Sequence, residues 1–289
     1  MKPAPFEYRA AGTLDEALAL LDPPGRSIAP LAGGQSLVPL LNLRRVRPAV
    51  VLDLNRLTEL AGVEVTDTAV LVGAMTRLHD LERHEGLRAA LPVVPQTAAR
   101  VAHRQIRHRA TLGGSLCHAD PAAQLAATAV ALGATLRLRR AGGERTVPAA
   151  EFFTGPHRTA RRPDELLTAV SFPRRPGFRY RFEAVTRRGG AGFPLVGVCV
   201  GVRLEAGAVA EARIAACGVA DRPLRLTGAE RALAGYGAAA ADGALGEIAD
   251  AAVAGSRPPS DLHGSAEFRG DLLRAVLRRA AVHLLTEGS

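Results

Sequence analysis

Lysine is almost missing from this 289-residue chain: Lys2 stands alone, and arginine supplies the rest of a formal net charge of +9. A balance this basic raises nucleic acid as a partner. The arginines, however, are scattered among aspartate and glutamate along the whole chain rather than gathered into a stripe, which argues against that class. Such a surface also suits the steering of an anionic cofactor or an acidic partner subunit. Cysteine is scarce too. Cys117, Cys199 and Cys217 form no CxxC pair, so no framework for an iron-sulfur cluster or structural zinc is present, and the odd count suits free thiols in a reducing compartment. No apolar run approaches the ~18 residues of a membrane-spanning helix. The segment Met1-Lys2-Pro3-Ala4-Pro5-Phe6 lacks the apolar stretch of a secretory signal. A cytoplasmic protein is expected. The strand, GxGxxG and acidic residue of an NAD fingerprint are missing as well.

What is present is glycine in pairs. Leu31-Ala32-Gly33-Gly34-Gln35-Ser36-Leu37-Val38-Pro39-Leu40 has a distant echo in Ala110-Thr111-Leu112-Gly113-Gly114-Ser115-Leu116. Glycine pairs let consecutive N–H groups converge on an anion, and the missing Cβ lets that anion come close. Gln35, Ser36, Thr111 and Ser115 add neutral donors, and the apolar run after Ser36 suits a short helix with its positive end toward the anion. A single Gly-Gly pair reads first as a tight turn. Two such loops, each entering an apolar segment, point to a dinucleotide held between them.

The remainder reads as an ordinary globular chain, 47% hydrophobic and 22% charged, long enough for roughly two domains. Thr13 and Glu16 form a capping box for a helix to Leu21, stopped by Asp22-Pro23-Pro24-Gly25. Strands are expected at 27–31 and 49–54, with the first glycine loop between them in a small β-α-β unit. A hairpin follows at 63–65 and 69–72, then a helix opened by Thr76 and another over 93–103. Asp120 and Pro121 are expected to cap and start a helix ended by Gly133. A strand pair surrounds 141–143, and 165–172 is a further strand. Arg174-Arg175-Pro176-Gly177 marks the boundary between domains of residues 1–175 and 176–289, the first divided into lobes of about 1–55 and 56–175. Beyond it come strands at 179–185, 195–204 and 209–217, then helices at 227–234, 244–254 and 265–285.

Ala32-Gly33-Gly34-Gln35-Ser36, followed by Asp53-Leu54-Asn55, resembles the first FAD loop of the FAD-binding medium subunits of molybdenum hydroxylases, the xanthine dehydrogenase and aerobic carbon monoxide dehydrogenase family. Gln105-Ile106-Arg107-His108-Arg109-Ala110-Thr111-Leu112-Gly113-Gly114-Ser115-Leu116-Cys117-His118-Ala119-Asp120-Pro121 is similar to the second. Arg213-Ile214-Ala215-Ala216-Cys217-Gly218-Val219-Ala220 and Asp261-Leu262-His263-Gly264-Ser265-Ala266-Glu267-Phe268-Arg269 extend the likeness into the last third. The resemblance implies an α+β fold: a two-lobed PCMH-type FAD-binding region, then a small antiparallel sheet with helices like the carbon monoxide dehydrogenase flavoprotein C-terminal domain. It implies FAD as cofactor, a molybdopterin large subunit and a 2Fe-2S small subunit as partners, and an oxidoreductase passing electrons to an external acceptor. The alternative is a stand-alone FAD-dependent oxidoreductase on the same fold.

By the same resemblance, Ala32, Gly33, Gly34, Gln35, Ser36 and Leu37 hold the pyrophosphate from one side. Thr111, Gly114 and Ser115 hold it from the other, and His118, Asp120 and Leu167 lie near the flavin or its ribityl chain. No general acid, nucleophile or metal ligand is implied, since the redox chemistry resides in FAD. Three positions depart from the family: Gln124 stands for a common Asp, Ala184 for a common Lys, and Gly192 for an Asp before the aromatic Phe193. Glu183, Arg187 and Arg188 are the nearby charges that stand in for them.

Overall fold

The computed structural model describes residues 2–22, 25–187, 192–237 and 242–286. Pro23, Pro24 and Arg188 lie outside them.

The chain begins with strand β1 (Glu7–Ala10), helix α1 (Leu14–Leu21), β2 (Ile28–Leu31), α2 (Leu37–Asn42) and β3 (Val50–Asp53). Both outer strands pair with β3 in parallel, in the order β1-β3-β2. Parallel pairing needs a crossover, and the first glycine loop with α2 is that crossover. Thr13 Oγ1 accepts from Glu16 N at 3.2 Å, while the Glu16 carboxylate returns to Gly12 N at 2.7 Å rather than to Thr13. The cap turns Ala17, Leu18 and Leu21 inward onto Leu52 and Leu54 as a small core.

The second lobe is a five-stranded antiparallel sheet of order β4-β5-β10-β6-β7, formed by β4 (Val63–Val65), β5 (Ala69–Gly73), β6 (Thr135–Arg140), β7 (Gly143–Pro148) and β10 (Leu166–Pro173). Between β5 and β6 run α3 (Leu78–Arg83), α4 (Glu85–Ala90), α5 (Val93–Arg100), α6 (Arg104–Arg107), α7 (Leu112–His118) and α8 (Gln124–Leu132). Short α9 (Ala149–Phe152), β8 (Phe153–Gly155) and β9 (Arg158–Thr159) precede β10.

Two helices start later than expected: α3 at Leu78, not at Thr76, and α8 at Gln124, not at Pro121 under an Asp120 cap. Thr76 does not cap α3: its hydroxyl donates to Gly62 O and accepts from Gly62 N, and Arg77 takes the N-cap position. Asp120 does not cap α8 either. Its Oδ1 accepts from Ala122 N at 2.8 Å and its carbonyl from Ala123 N at 2.9 Å, an Asx turn that closes before the helix opens. The expected helix 93–103 stops early, at Arg100: Ala102 has φ +48°, and the Arg107 guanidinium takes the carbonyls of Val101 and Ala102.

The last third is the antiparallel sheet β11 (Phe178–Thr186), β12 (Pro194–Glu205), β13 (Ala208–Cys217) and β14 (Leu224–Arg225), followed by α10 (Thr227–Leu233), α11 (Asp242–Ala254) and α12 (Ala266–Thr286). Successive side chains of a strand face opposite ways. Cys199 of β12, with Phe182 and Cys217, therefore joins the central core around α8, while Val196, Val198, Val200 and Val202 face α12 and α10. Covered on both sides, β12 is buried from Pro194 to Val202. All three cysteines are free. Burial pushes the Cys117 thiol up to about 11 and those of Cys199 and Cys217 up to about 12.

Candidate functional site

The two glycine loops touch. A Cβ built on Gly33 would lie 2.7 Å from Ala110 Cα and inside the contact distance of Arg109 O. One built on Gly114 would lie 3.4 Å from the Ala32 methyl. Only Gly34 among these glycines needs a positive φ, +73°; Gly33, Gly113 and Gly114 are present for close approach. At Gly113 the neighbour is Ala74, whose carbonyl oxygen would be 2.8 Å from an added Cβ.

The two jaws are not equivalent. In the first, the backbone N–H groups of residues 32–37 have no backbone acceptor among the described residues. Helix bonding starts only at Val38 N, which donates to Gly34 O at 3.1 Å. Ser36 is the N-cap residue of α2 and makes no side-chain cap bond. Gln35 Nε2 folds back to Gly33 O at 3.3 Å. A run of free amides at a helix start in a partly exposed loop is a cradle for an anion.

In the second jaw the amides are already committed. Leu112 N donates to Thr76 O at 3.0 Å and Gly113 N to Ala74 O at 2.8 Å. Gly114 N donates to Thr111 Oγ1 at 3.1 Å, and Ser115 N to Thr111 O at 3.0 Å. Thr111 is buried, so its hydroxyl serves the helix, whereas Ser115 is partly exposed. The second glycine pair is therefore not a loop, as expected, but the first turn of α7; it works as a firm wall carrying the positive end of that helix, and the first loop supplies the donors. Thr111→Ala is expected to cost about 1 kcal/mol of stability, the worth of an N-cap side chain. Urea unfolding should show it, with Thr111→Ser close to wild type.

His118 closes α7, seven residues on from the cap, or roughly 10 Å of helix rise, and Asp120 follows just beyond the C-cap Ala119. The His118 ring stands 4.7 Å from that of His157, and His157 Nδ1 meets His118 O at 3.0 Å. Burial, with the His157 ring beside it, lowers the His118 pKa below the ordinary value. Leu167 is 7% exposed in β10, its side chain in the central core. Of the residues expected around the anion, Ala32 and Gly33 meet Arg109, Ala110 and Gly114, while His118 and Asp120 stand at the other end of α7.

Four residues that sequence reasoning did not single out as site residues join the jaws from below. Tyr8 OH donates to Asp53 Oδ2 at 2.5 Å, and Asn55 N to Asp53 Oδ1 at 2.8 Å. Asn55 Nδ2 donates to Ala32 O at 3.0 Å, and Arg77 Nη2 to Asn55 Oδ1 at 2.6 Å. Burial raises the Asp53 pKa, but the hydrogen bonds from Tyr8 and Asn55 outweigh it and hold the carboxyl below its usual range. Asp53 and Asn55 stand in the Asp53-Leu54-Asn55 stretch that accompanies the first loop, whereas the bonds to Tyr8, Ala32 and Arg77 join residues distant in sequence.

The three departures from the family have local reasons. Gln124 is 4% exposed, and its Nε2 donates to Arg100 O at 3.3 Å. The Ala184 methyl packs on the central core. On the opposite face Glu183 is held by Arg181 at 2.7 Å and Arg279 at 3.1 Å. Arg187 reaches the His263 ring at 2.8 Å. Gly192 has φ +123°, a conformation in which aspartate is strained.

A two-lobed α+β region with paired glycine loops at the lobe junction, continued by an antiparallel sheet and helices, defines a flavoprotein of the dinucleotide-cradling kind. Residues 4–175 match the family described as FAD binding domain in molybdopterin dehydrogenase, and residues 180–284 the CO dehydrogenase flavoprotein C-terminal domain. The chain belongs to this family of FAD-binding subunits of molybdenum hydroxylase-type dehydrogenases, which are oxidoreductases, and FAD is its cofactor. It is 34% identical over 280 residues to the glyceraldehyde dehydrogenase medium chain of Sulfolobus acidocaldarius, covering 97% of this chain and 98% of that one. It is 34% identical to the carbon monoxide dehydrogenase medium chain of Hydrogenophaga pseudoflava, covering 97% of each. The solved carbon monoxide dehydrogenase from that organism superposes with a TM-score of 0.92 at 35% identity, over 97% of both chains. Quinoline 2-oxidoreductase from Pseudomonas putida 86 gives 0.92 at 33% identity, over 100% of this chain and 99% of that one. Among the described residues no helix is long and apolar enough to cross a membrane.

Proposed function

We propose that this chain is the flavin module of a cytoplasmic heteromeric molybdenum hydroxylase, accepting electrons from the 2Fe-2S clusters of a small partner subunit and passing them to an external acceptor. A large subunit carrying molybdopterin completes the complex. Residues 1–175 form the FAD-binding region, in lobes of about 1–55 and 56–175, and 176–289 the C-terminal flavoprotein domain. The single observation that carries the reading is the free-amide run at 32–37 set against the wall of Thr111, Gly114 and Ser115.

The residues fit FAD. Ala32, Gly33, Gly34, Gln35, Ser36 and Leu37 supply backbone donors for a pyrophosphate, and the Ser36 and Ser115 hydroxyls add side-chain donors. His118, Asp120 and Leu167 lie further along, toward the flavin end. When bound, FAD supplies two-electron and one-electron redox chemistry that no side chain has. The protein binds and orients it, and the loop amides hold its negative charge in place. His118, its pKa depressed by burial, stays neutral near neutral pH and so adds no cation at that end.

Purified full-length chain is expected to be yellow, to release equimolar FAD on denaturation, and to co-purify from its source with 2Fe-2S and molybdopterin subunits. Colourless protein that FAD does not stabilise would refute the binding site. Turnover of an organic substrate by the isolated monomer would replace the electron-relay reading with a stand-alone oxidoreductase.

A further inference from the structure

The hydrogen bonds joining the two glycine loops pass through side chains that belong to neither. Asn55 Nδ2 donates to Ala32 O at 3.0 Å, and Asn55 Oδ1 accepts from Arg77 Nη2 at 2.6 Å. Nη1 of the same guanidinium donates to Arg109 O. The chain of bonds therefore runs from the carbonyl of Ala32, through one amide and one guanidinium, to the carbonyl of Arg109. These carbonyls belong to the two peptide segments that Gly33 allows to touch.

Each member is set by its surroundings. The Asn55 amide has one orientation: its nitrogen meets two acceptors, Ala32 O and Asp53 Oδ1, and its oxygen meets a donor. Asp53 is fixed in turn by Tyr8 OH at 2.5 Å. The backbone around Arg77 also carries the second loop, through Leu78 N to Ala110 O at 2.9 Å and Leu112 N to Thr76 O at 3.0 Å. The chain neighbours of Arg77 thus grip the second segment by their backbone, and its side chain reaches both Arg109 O of that segment and Asn55 of the first lobe. Both acceptors of its guanidinium are neutral oxygens, while the carboxylates of Asp80 and Asp53 balance its charge from nearby.

We propose that Arg77 and Asn55 form a latch that holds the two glycine loops at the separation FAD needs. The latch is built into the protein, so the cofactor meets a cradle already closed at its base. This rests on the reading of the loops as the FAD site. Arg77 and Asn55 are positioning residues: they act on the loops, and through them on the cofactor.

The test is the FAD dissociation constant of the full chain, measured by titration of apoprotein. Losing a charge-assisted hydrogen bond is worth about tenfold or more in binding, so Arg77→Ala and Asn55→Ala should each weaken FAD by about that factor. The double variant should be no more than about threefold weaker than either single variant, because either change opens the same chain of bonds. Arg77→Lys restores the charge but reaches one acceptor, and should fall between. General loosening of the fold would instead give additive losses and no rescue by lysine. FAD binding by Arg77→Ala within about twofold of a flavin-loaded wild type, an effect well below one hydrogen bond, would overturn the latch alone. So would additive losses. A wild-type chain that binds no FAD would overturn the reading of the loops, and the latch with it.

Discussion

Replacing Gly33 with valine is expected to abolish flavin binding while leaving most of the chain folded. The added Cβ would sit 2.7 Å from Ala110 Cα and closer still to Arg109 O. Both neighbours are backbone, and that backbone is anchored: Ala110 O accepts from Leu78 N at 2.9 Å, and Ala110 N donates to Ile106 O at 2.7 Å. No flexible side-chain end is available to swing aside, so the loops must separate. Separation removes the wall from the cradle and leaves the free amides of residues 32–37 without the opposing surface. A loss of at least about a hundredfold in affinity corresponds to only ~2.8 kcal/mol, which a displacement of this size exceeds. Gly34→Ala is the comparison. Its neighbours are the side-chain tips of Val38 and Leu31, at 3.2 and 3.3 Å, and the cost is mainly that of a positive φ, about 1 kcal/mol. Gly33→Val should therefore lose flavin where Gly34→Ala keeps part of it. Equimolar flavin in purified Gly33→Val would show that the loops are ordinary turns.

Arg145→Ala is expected to destabilise the protein by about 3 kcal/mol, because it strands a buried carboxylate. Glu165 is 2% exposed at the start of β10. Arg145 grips it with Nε at 2.6 Å and Nη2 at 2.9 Å, and Arg162 N donates to its Oε2 at 2.7 Å. Burial raises the Glu165 pKa, but those bonds prevail and hold the carboxyl below its ordinary value. A carboxylate whose folded pKa is depressed stabilises the protein above its unfolded pKa, and that stability is lost as pH falls through the folded value. Without Arg145 only the Arg162 N–H and the Arg162 charge oppose burial, so the folded pKa rises and the variant loses the stability that ionisation of Glu165 gives the wild type. The stability gap between wild type and variant should thus be widest near neutral pH and narrow toward about pH 4, where carboxylates take up protons. Urea unfolding at several pH values measures the gap. A gap that does not change with pH would show that the loss lies in packing and not in the stranded charge. Adding Glu165→Gln to Arg145→Ala should recover part of the loss at neutral pH.

Much of the architecture could be read directly from residue pattern. The parallel β2-α2-β3 unit follows from an apolar strand, a glycine loop and a second apolar strand, and β11, β12 and β13 each lie within one residue of the expected strands, whereas the two-residue β14 carries no pattern to read. Local hydrogen-bond competition was harder to read. Thr76 and Asp120 both have the chemistry of helix caps, yet Thr76 faces the Gly62 peptide and Asp120 closes its own turn. A cap residue takes the nearest geometrically suitable partner, and that partner depends on the chain path. Helix α4, with Leu87 as its fully buried residue, is too short for a periodic signal.

The sequence by itself determined that two glycine pairs exist, that each enters an apolar segment, and that the chain belongs with flavin-binding subunits. These follow from residue identity, since only glycine lacks the Cβ that close approach forbids. Tertiary structure alone decided how the loops share the work. Which amides remain free depends on whether another segment supplies carbonyls: Ala74 and Thr76 do so for Leu112 and Gly113, and nothing among the described residues does so for the backbone of 32–37. Likewise Arg77 and Asn55 become neighbours across 22 residues of sequence only because β3 and the start of α3 end at the same lobe junction. Hydrogen bonds depend on distance and direction in space, and spacing along the chain carries neither.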